Sequence, residues 1–111
     1  MDKAIDFYCN KIGFRVKTRK LYPQIVSLEN EGVHFILNKV EQPTKTIYPS
    51  ESCTMINIQV ENLAESMIHL KSRGVEIIHD KPQKCPVGEF VAIRDPFGNV
   101  MELLEYQKNQ I

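Results

Sequence analysis

A predicted β-hairpin near the C-terminus constrains the fold of this chain more than any other feature. Two apolar runs, within residues 88–94 and 100–105, flank the turn Asp95-Pro96-Phe97-Gly98-Asn99. Pro96 presets its own φ and Gly98 tolerates a positive φ, while the Asp and Asn side chains of the turn can bond local backbone. The pattern predicts two antiparallel strands joined by this turn.

Glu102 lies in the second of these runs and is the residue that most suggests a site. A carboxylate that faces an interior is costly unless it is paired or binds a metal. Two interpretations follow. Glu102 has a functional role, or it points into a wet cavity and accepts a hydrogen bond from a residue such as Asn57 or Tyr22.

The chain repeats one order of signals in residues 2–16 and 62–77. Each segment begins with a residue suited to the helix N-cap and ends at a glycine suited to the left-handed position after a helix. Glu65 lies three residues after the second N-cap, as in a capping box. The N-caps are Asp2 and Asn62, the glycines Gly13 and Gly74, and the apolar residues at helical spacing Ala4, Tyr8, Ile12, Leu63, Met67 and Leu70.

The segments that follow the two helices also match. Residues 23–37 have the pattern of strand, turn and strand, and they parallel residues 90–104. The alignment is ambiguous by one residue; we prefer the register that pairs Val33 with Met101, because it places His34 opposite Glu102. The chain is therefore predicted to be a tandem of α/β modules, each a helix with several antiparallel strands.

The two modules differ in what precedes the helix. In residues 53–61, Ile56, Ile58 and Val60 alternate with polar residues, which predicts a half-buried strand. Only Met1 precedes the first helix, so the first module lacks its leading strand. Two explanations stay open: a truncated chain or a start codon placed too far downstream, or a genuine short form whose open edge another chain covers.

The leading strand of the second module is predicted to have two unlike faces. Ile56, Ile58 and Val60 form an apolar face that we expect to pack on helices. Met55, Asn57 and Gln59 form the opposite face, and an uncharged polar surface of this kind suits a small-molecule site. An ordinary solvent-facing strand would have the same pattern.

Composition limits the classes of function. The 111 residues suffice for one domain with a modest core, and 14 basic residues balance 14 acidic ones, which favours neither nucleic acid nor an anionic membrane as a partner. No apolar run approaches the length of a membrane span. Three cysteines without CxxC spacing argue against a disulfide framework and fit a cytoplasmic protein.

The segment from Asp95 to Glu102 resembles the C-terminal end of the vicinal oxygen chelate superfamily, which includes glyoxalase I, the fosfomycin and bleomycin resistance proteins and the extradiol dioxygenases. The resemblance implies an α+β fold of tandem βαβββ modules in one domain over residues 1–111, here with the first leading strand missing. Module one would span about residues 1–45 and module two about residues 51–107, with a linker near residues 41–53. It also implies a small-molecule ligand in the cleft between modules, and a homodimer.

The resemblance further implies a metal site. In the family, ligands come from the leading and last strands of each module, and these positions fall on His34, Met55 and Glu102, the fourth having no counterpart. A divalent Zn, Ni, Mn or Fe ion would have His34 and Glu102 as ligands. Methionine is a poor ligand for hard divalent ions, and such a site needs three or four N or O ligands.

Two classes of function therefore remain open. The first is a divalent-metal-dependent lyase, isomerase or dioxygenase, in which the metal polarises two adjacent substrate oxygens and Glu102 helps to move a proton. The second is a metal-free module that sequesters a small molecule such as an antibiotic, or a catalytically degenerate paralogue. The substrate-binding candidates are Met55, Asn57, Gln59, Tyr22, Phe90 and Arg94.

Two further side chains have alternative interpretations. Arg94 could pair with a substrate carboxylate or, as we favour, with Asp95 beside it. His79 follows the strand predicted at residues 75–78, and we expect it to be a solvent-exposed residue at a strand edge.

Overall fold

The computed structural model describes residues 1–43 and 45–108. The chain divides into two compact units, Met1–Thr44 (unit 1) and Lys45–Ile111 (unit 2). Each unit contains a helical segment and a mainly antiparallel sheet. The α+β class predicted from the sequence is therefore confirmed.

Unit 1 begins with a helical segment and continues as a three-stranded sheet. The bounds are Asp2–Ile5 for α1, Asp6–Ile12 for a π-helical segment, Arg15–Thr18 for β1, Ile25–Asn30 for β2 and Val33–Asn38 for β3. Helix α1 passes directly into the π-helical segment, and the chain leaves it at Gly13, whose φ of 108° only glycine adopts readily. The sheet is antiparallel throughout, in the order β1-β2-β3.

The N-cap of α1 is Met1, so the prediction that Asp2 occupies this position is wrong. The carbonyl of Met1 accepts the first helical hydrogen bond, from the N–H of Ile5 at 3.0 Å. The Asp2 carboxylate instead accepts a hydrogen bond from the hydroxyl of Tyr22. Asp2 is the first helical residue, where a negative charge favours the helix dipole without capping it.

The predicted strand–turn–strand in residues 23–37 is confirmed as the β2–β3 hairpin. Its two-residue turn consists of Glu31 and Gly32, with φ of 49° and 81°, which is the geometry that twists two antiparallel strands together. One face of the hairpin packs on the helical segment, since the rings of Tyr8 and Phe35 lie 5.1 Å apart. His34, next along β3, lies on the opposite face and is exposed.

Unit 2 contains the second helix and a larger sheet. The bounds are Ile56–Gln59 for β4, Leu63–Ser72 for α2, Glu76–Ile77 for β5, Gln83–Cys85 for β6, Gly88–Arg94 for β7 and Val100–Tyr106 for β8. The strand order is β4-β8-β7-β5, and β6 also pairs with β7.

The C-terminal hairpin predicted from the sequence is confirmed in β7 and β8, which close at the pair Arg94 and Val100. Asp95 is 4% exposed and holds the turn together. Its Oδ1 accepts from the N–H groups of Phe97 at 2.8 Å and Asn99 at 2.9 Å, and its Oδ2 accepts from the Asn99 amide at 2.8 Å. Side-chain bonds therefore fix the turn, as its composition predicted.

One pairing departs from the antiparallel strands expected throughout: β4 and β8 run parallel. The crossover through α2 leaves β5 parallel to β4. The two strands of the β7–β8 hairpin lie between β4 and β5 in the sheet. Because β7 is antiparallel to both β5 and β8, β8 must run parallel to β4. An alternating sequence does not specify pairing direction, so this feature was not predictable from β4 alone.

Helix α2 agrees with its sequence signals. The Asn62 side chain accepts from the N–H of Glu65 at 2.9 Å, and the chain leaves the helix at Gly74 with φ of 77°. Its buried residues are the three predicted, Leu63, Met67 and Leu70. The expected packing of the apolar β4 face holds less well: Ile56 is 46% exposed, because β4 lies at the edge of the sheet within unit 2.

Candidate functional site

The site is built on one face of the unit 2 sheet. The backbone N–H of Leu63, the first residue of α2, bonds to Glu105 Oε1 at 2.6 Å, which assigns Glu105 to the helix-covered face. Glu102 is three residues earlier in β8 and therefore lies on the opposite face. Directly paired residues share a face. The Glu102 face thus carries Asn57, Gln59, Phe90, Ala92, Arg94, Glu102 and Leu104.

Glu102 is half-buried and both of its carboxylate oxygens accept hydrogen bonds. The hydroxyl of Tyr48 donates to Oε2 at 2.9 Å, and the side-chain amide of Asn57 donates to Oε1 at 3.3 Å. Asn57 is the direct partner of Glu102 in the β4–β8 register, which explains this contact. Asn57, one of the two partners suggested from the sequence, therefore bonds to Glu102.

Tyr48 is held in the form that donates. Burial, the hydrogen bond to Glu102 and the charge of that carboxylate together raise the pKa of its phenol to about 12, and burial contributes most. A phenol with this pKa is neutral throughout the physiological range. Glu102 therefore always faces a hydroxyl donor and not a phenolate.

His79 joins the site through its ring and one nitrogen. Its Nδ1 accepts from the backbone N–H of Ala92 at 3.0 Å, so the proton of the neutral ring is on Nε2. The ring lies edge-on to Tyr48 at 5.7 Å and to Phe90 at 5.6 Å. Ala92 is also the β7 partner of Glu102. The Glu102 cluster is the set Tyr48, Asn57, His79, Phe90 and Glu102.

The other unit 2 candidates lie near this cluster in different roles. Gln59 is exposed on the Glu102 face, and Met55 is half-buried one residue before β4. Arg94 lies on the same face, with its Nε 3.2 Å from Glu76 Oε2 and its Nη1 donating to the carbonyl of Thr46 at 3.4 Å. Arg94 thus forms an ion pair with Glu76, and its expected pairing with Asp95 stays a prediction.

Two candidates belong to unit 1. His34 accepts from the ammonium of Lys17, whose Nζ lies 2.8 Å from Nε2; lysine has no acceptor, so the imidazole must accept. Tyr22 is 41% exposed, donates to Asp2 and lies under the guanidinium of Arg19 at 4.7 Å. The hydrogen bond to Asp2 raises the pKa of Tyr22. His34, like Glu102, lies on the sheet face away from the helix of its own unit.

The donor set does not suit a chelated divalent ion. Within residues 1–43 and 45–108, no three His, Cys, Asp or Glu side chains come together. Both oxygens of Glu102 and Nε2 of His34 already accept hydrogen bonds from protein groups. Met55, which the resemblance assigns to a ligand position, has a soft thioether that suits hard divalent ions poorly.

Sequence reasoning missed two members of the cluster. Tyr48 lies in the segment assigned to the linker, where no periodicity marks it. His79 was expected to be exposed, but it is half-buried, and its ring contacts Tyr48 and Phe90. The alternation of β7 and β8 could have suggested that something must cover Ala92 and Leu104, since both are buried on the Glu102 face.

Solved structures with the same fold include proteins of several descriptions. A glyoxalase/bleomycin resistance protein/dioxygenase from Alicyclobacillus acidocaldarius superposes with a TM-score of 0.77 at 21% identity, covering 98% of this chain and 85% of that one. TnmS3, an antibiotic binding protein from Streptomyces sp. CB03234, gives 0.70 at 23% identity, with 96% and 86% covered. TioX from Micromonospora sp. ML1 gives 0.72 at 21% identity, with 96% and 89% covered.

No curated protein sequence gives a significant match to the chain. Neither helical segment of the described residues has the length and hydropathy of a membrane span. The family model of the Glyoxalase/Bleomycin resistance protein/Dioxygenase superfamily matches residues 1–103. With nearly the whole chain matched, the protein belongs to the glyoxalase/bleomycin resistance protein/dioxygenase superfamily.

Proposed function

We propose that the protein binds a small organic molecule on the Glu102 face of unit 2, and that Glu102 acts there as a hydrogen-bond acceptor. The observation that carries the proposal is a half-buried carboxylate oriented by two uncharged donors, Tyr48 and Asn57, beside aromatic side chains. Ligand sites are typically clefts lined mainly by apolar and aromatic side chains, with a few fixed polar groups. Asn57, Gln59 and Phe90 would contact the ligand, with Met55 at the margin.

The comparison with TnmS3 supports binding as a use of this fold, since that protein is described as an antibiotic binding protein. At 23% identity the likeness concerns the fold, so the ligand of this chain has to be found from its own residues. The homodimer implied by the family resemblance stays a prediction, which light scattering tests.

A metal-dependent lyase, isomerase or dioxygenase is the competing function, with His34 and Glu102 as ligands. A bound divalent ion would polarise substrate oxygens as a Lewis acid. It would first have to displace the Lys17 ammonium from His34 and the two donors from Glu102. We therefore place binding without metal ahead of this alternative.

The test is a screen of small aromatic compounds against chelator-treated protein, followed through backbone amide chemical shifts by NMR. Binding at the proposed site shifts the amides of Asn57, Ala92 and Glu102 together. Glu102→Gln should weaken the hits that donate hydrogen bonds, whereas Glu41→Gln, an exposed carboxylate in unit 1, should not. Shifts confined to other regions, or hits that appear only after a divalent metal is added, would contradict the proposal.

A further inference from the structure

The Glu102 cluster also points to a class of ligand. We propose that it recognises a planar organic cation: a protonated nitrogen group, such as an amidine, attached to an aromatic ring. The inference rests on the proposed function and adds the charge and shape of the ligand to it.

The charge of Glu102 favours a cationic ligand. Its two partners, the Tyr48 hydroxyl and the Asn57 amide, are both uncharged. Among the described residues no Lys, Arg or His side chain forms an ion pair with it. A carboxylate has about four acceptor positions, so each oxygen retains capacity for another donor. A half-buried charge of this kind gains most from a donor that carries the opposite charge.

The nearby basic side chains already contact other protein groups. Arg94 lies on the Glu102 face but forms an ion pair with Glu76 at 3.2 Å. Nδ1 of His79 accepts from the backbone N–H of Ala92, and its ring packs against Tyr48 and Phe90. Among the described residues, neither Arg94 nor His79 forms an ion pair with Glu102.

The aromatic side chains beside the carboxylate favour a planar ligand. The rings of Tyr48, His79 and Phe90 follow one another in edge-to-face contacts, at 5.7 and 5.6 Å between centroids. Tyr48 is the member whose hydroxyl reaches Glu102. A planar aromatic ligand can pack on such rings, and a cation near a ring face gains additional attraction.

The opposite ligand charge is disfavoured by the same groups. A carboxylate or phosphate at the cluster would meet the negative charge of Glu102, and the Arg94 guanidinium would have to leave Glu76 to compensate for it. A neutral aromatic ligand would pack on the rings but would give only an uncharged hydrogen bond to Glu102. The cation is thus the ligand that satisfies the charge and the aromatic surface together.

The experiment compares three probes of nearly the same shape: benzamidine, benzamide and benzoate. Their dissociation constants are measured by NMR shifts on chelator-treated protein at neutral pH and low salt. We expect benzamidine to bind, benzamide to bind about tenfold to a hundredfold more weakly, and benzoate not to bind, because hydrogen bonds to charged groups are about twice as strong as neutral ones.

Variants connect the preference to the cluster. Glu102→Gln keeps the shape of the side chain and removes its charge, so the affinity for benzamidine should fall to that for benzamide. Tyr48→Phe keeps the ring and removes the hydroxyl that orients Glu102, so benzamidine should weaken several-fold with little effect on benzamide. Glu41→Gln is the matched control and should leave all three constants unchanged. Melting temperatures confirm that each variant is folded.

The outcomes separate this inference from the proposed function. Benzamide or benzoate binding at the Glu102 face as tightly as benzamidine would overturn the charge inference while ligand binding stands. Benzamidine binding that Glu102→Gln leaves unchanged would also overturn it. If no member of the aromatic screen shifts the amides of Asn57, Ala92 and Glu102, the proposed function itself fails, and the charge inference with it.

Discussion

Tyr48 donates a hydrogen bond to Glu102 at 2.9 Å, although the two residues are 54 positions apart in the sequence. Tyr48 comes from the segment before β4, and Glu102 from the middle of β8. The contact orients the carboxylate and raises the pKa of the phenol, so both residues carry a measurable sign of it.

The first prediction concerns the titration of Tyr48. Its pKa of about 12 lies above the ordinary tyrosine value near 10, because burial and Glu102 both favour the neutral phenol. The raised pKa adds to the free energy of unfolding, and this contribution is fully present below about pH 10. It is lost as the pH rises from about 10 to about 12, because the tyrosine of the unfolded chain loses its proton first. Ultraviolet absorbance of wild type minus Tyr48→Phe should show one late-titrating tyrosine.

The control for this titration is Glu102→Gln, which removes the charge and leaves an acceptor. Tyr48 should then ionise at lower pH than in the wild type, though still above the ordinary value because its burial remains. A wild-type Tyr48 that titrates with the exposed tyrosines would show that the hydrogen bond does not form in solution.

The second prediction concerns the turn between β7 and β8. Asp95→Ala removes three hydrogen bonds made by a buried side chain and should lower the free energy of unfolding by about 2–3 kcal/mol. Asp95→Asn keeps one acceptor oxygen but sets its amide against the Asn99 amide, so an intermediate loss is expected. Urea unfolding measures both; an Ala variant as stable as wild type would be inconsistent with this turn.

The third prediction concerns the close approach of β7 and β8 at Gly88. A Cβ at this position would lie 2.0 Å from the carbonyl oxygen of Glu105, which is backbone and cannot rotate away. Gly88→Ala should therefore cost about 3 kcal/mol or more. Gly32→Ala is the contrasting control, because the added Cβ would meet no atom within 4 Å. Its positive φ of 81° alone should lower the free energy of unfolding, by about 1–2 kcal/mol. Equal losses would argue against the β7–β8 register.

The fourth prediction concerns the start of α2. Glu105 Oε1 accepts from the N–H of Leu63, one of the amides that a helix leaves without an internal partner. Glu105→Ala should destabilise the protein by about 1–2 kcal/mol. Glu105→Gln keeps an acceptor and loses the favourable charge near the helix N-terminus, so it should cost less, and the difference should shrink at high salt. Thermal unfolding at two ionic strengths checks both.

Much of the fold could be predicted because local signals and tertiary structure agree. Asn62 and Gly74 bound α2 as expected, and the Asp95 turn joins the predicted strands. The N-cap of α1 is Met1 and not Asp2, whose carboxylate accepts from a tertiary partner, the hydroxyl of Tyr22. A local rule cannot anticipate a partner 20 residues away.

The site was predictable only where strand alternation reports it. Glu102 and Asn57 lie on one face because both belong to regular, paired strands. Tyr48 and His79 reach that face from irregular segments, whose direction no periodicity records. The parallel pairing of β4 with β8 follows from the order of all the strands, which the sequence of β4 does not contain.

We propose that Glu102 acts as a hydrogen-bond acceptor and not as a metal ligand. Calorimetric titration of nickel, zinc and manganese into metal-stripped wild type, Glu102→Ala and His34→Ala is the decisive test. We expect no stoichiometric binding in the wild type, or weak binding that neither substitution changes. Stoichiometric binding in the wild type that is lost in both folded variants would contradict this role of Glu102 and establish a metal centre at these residues.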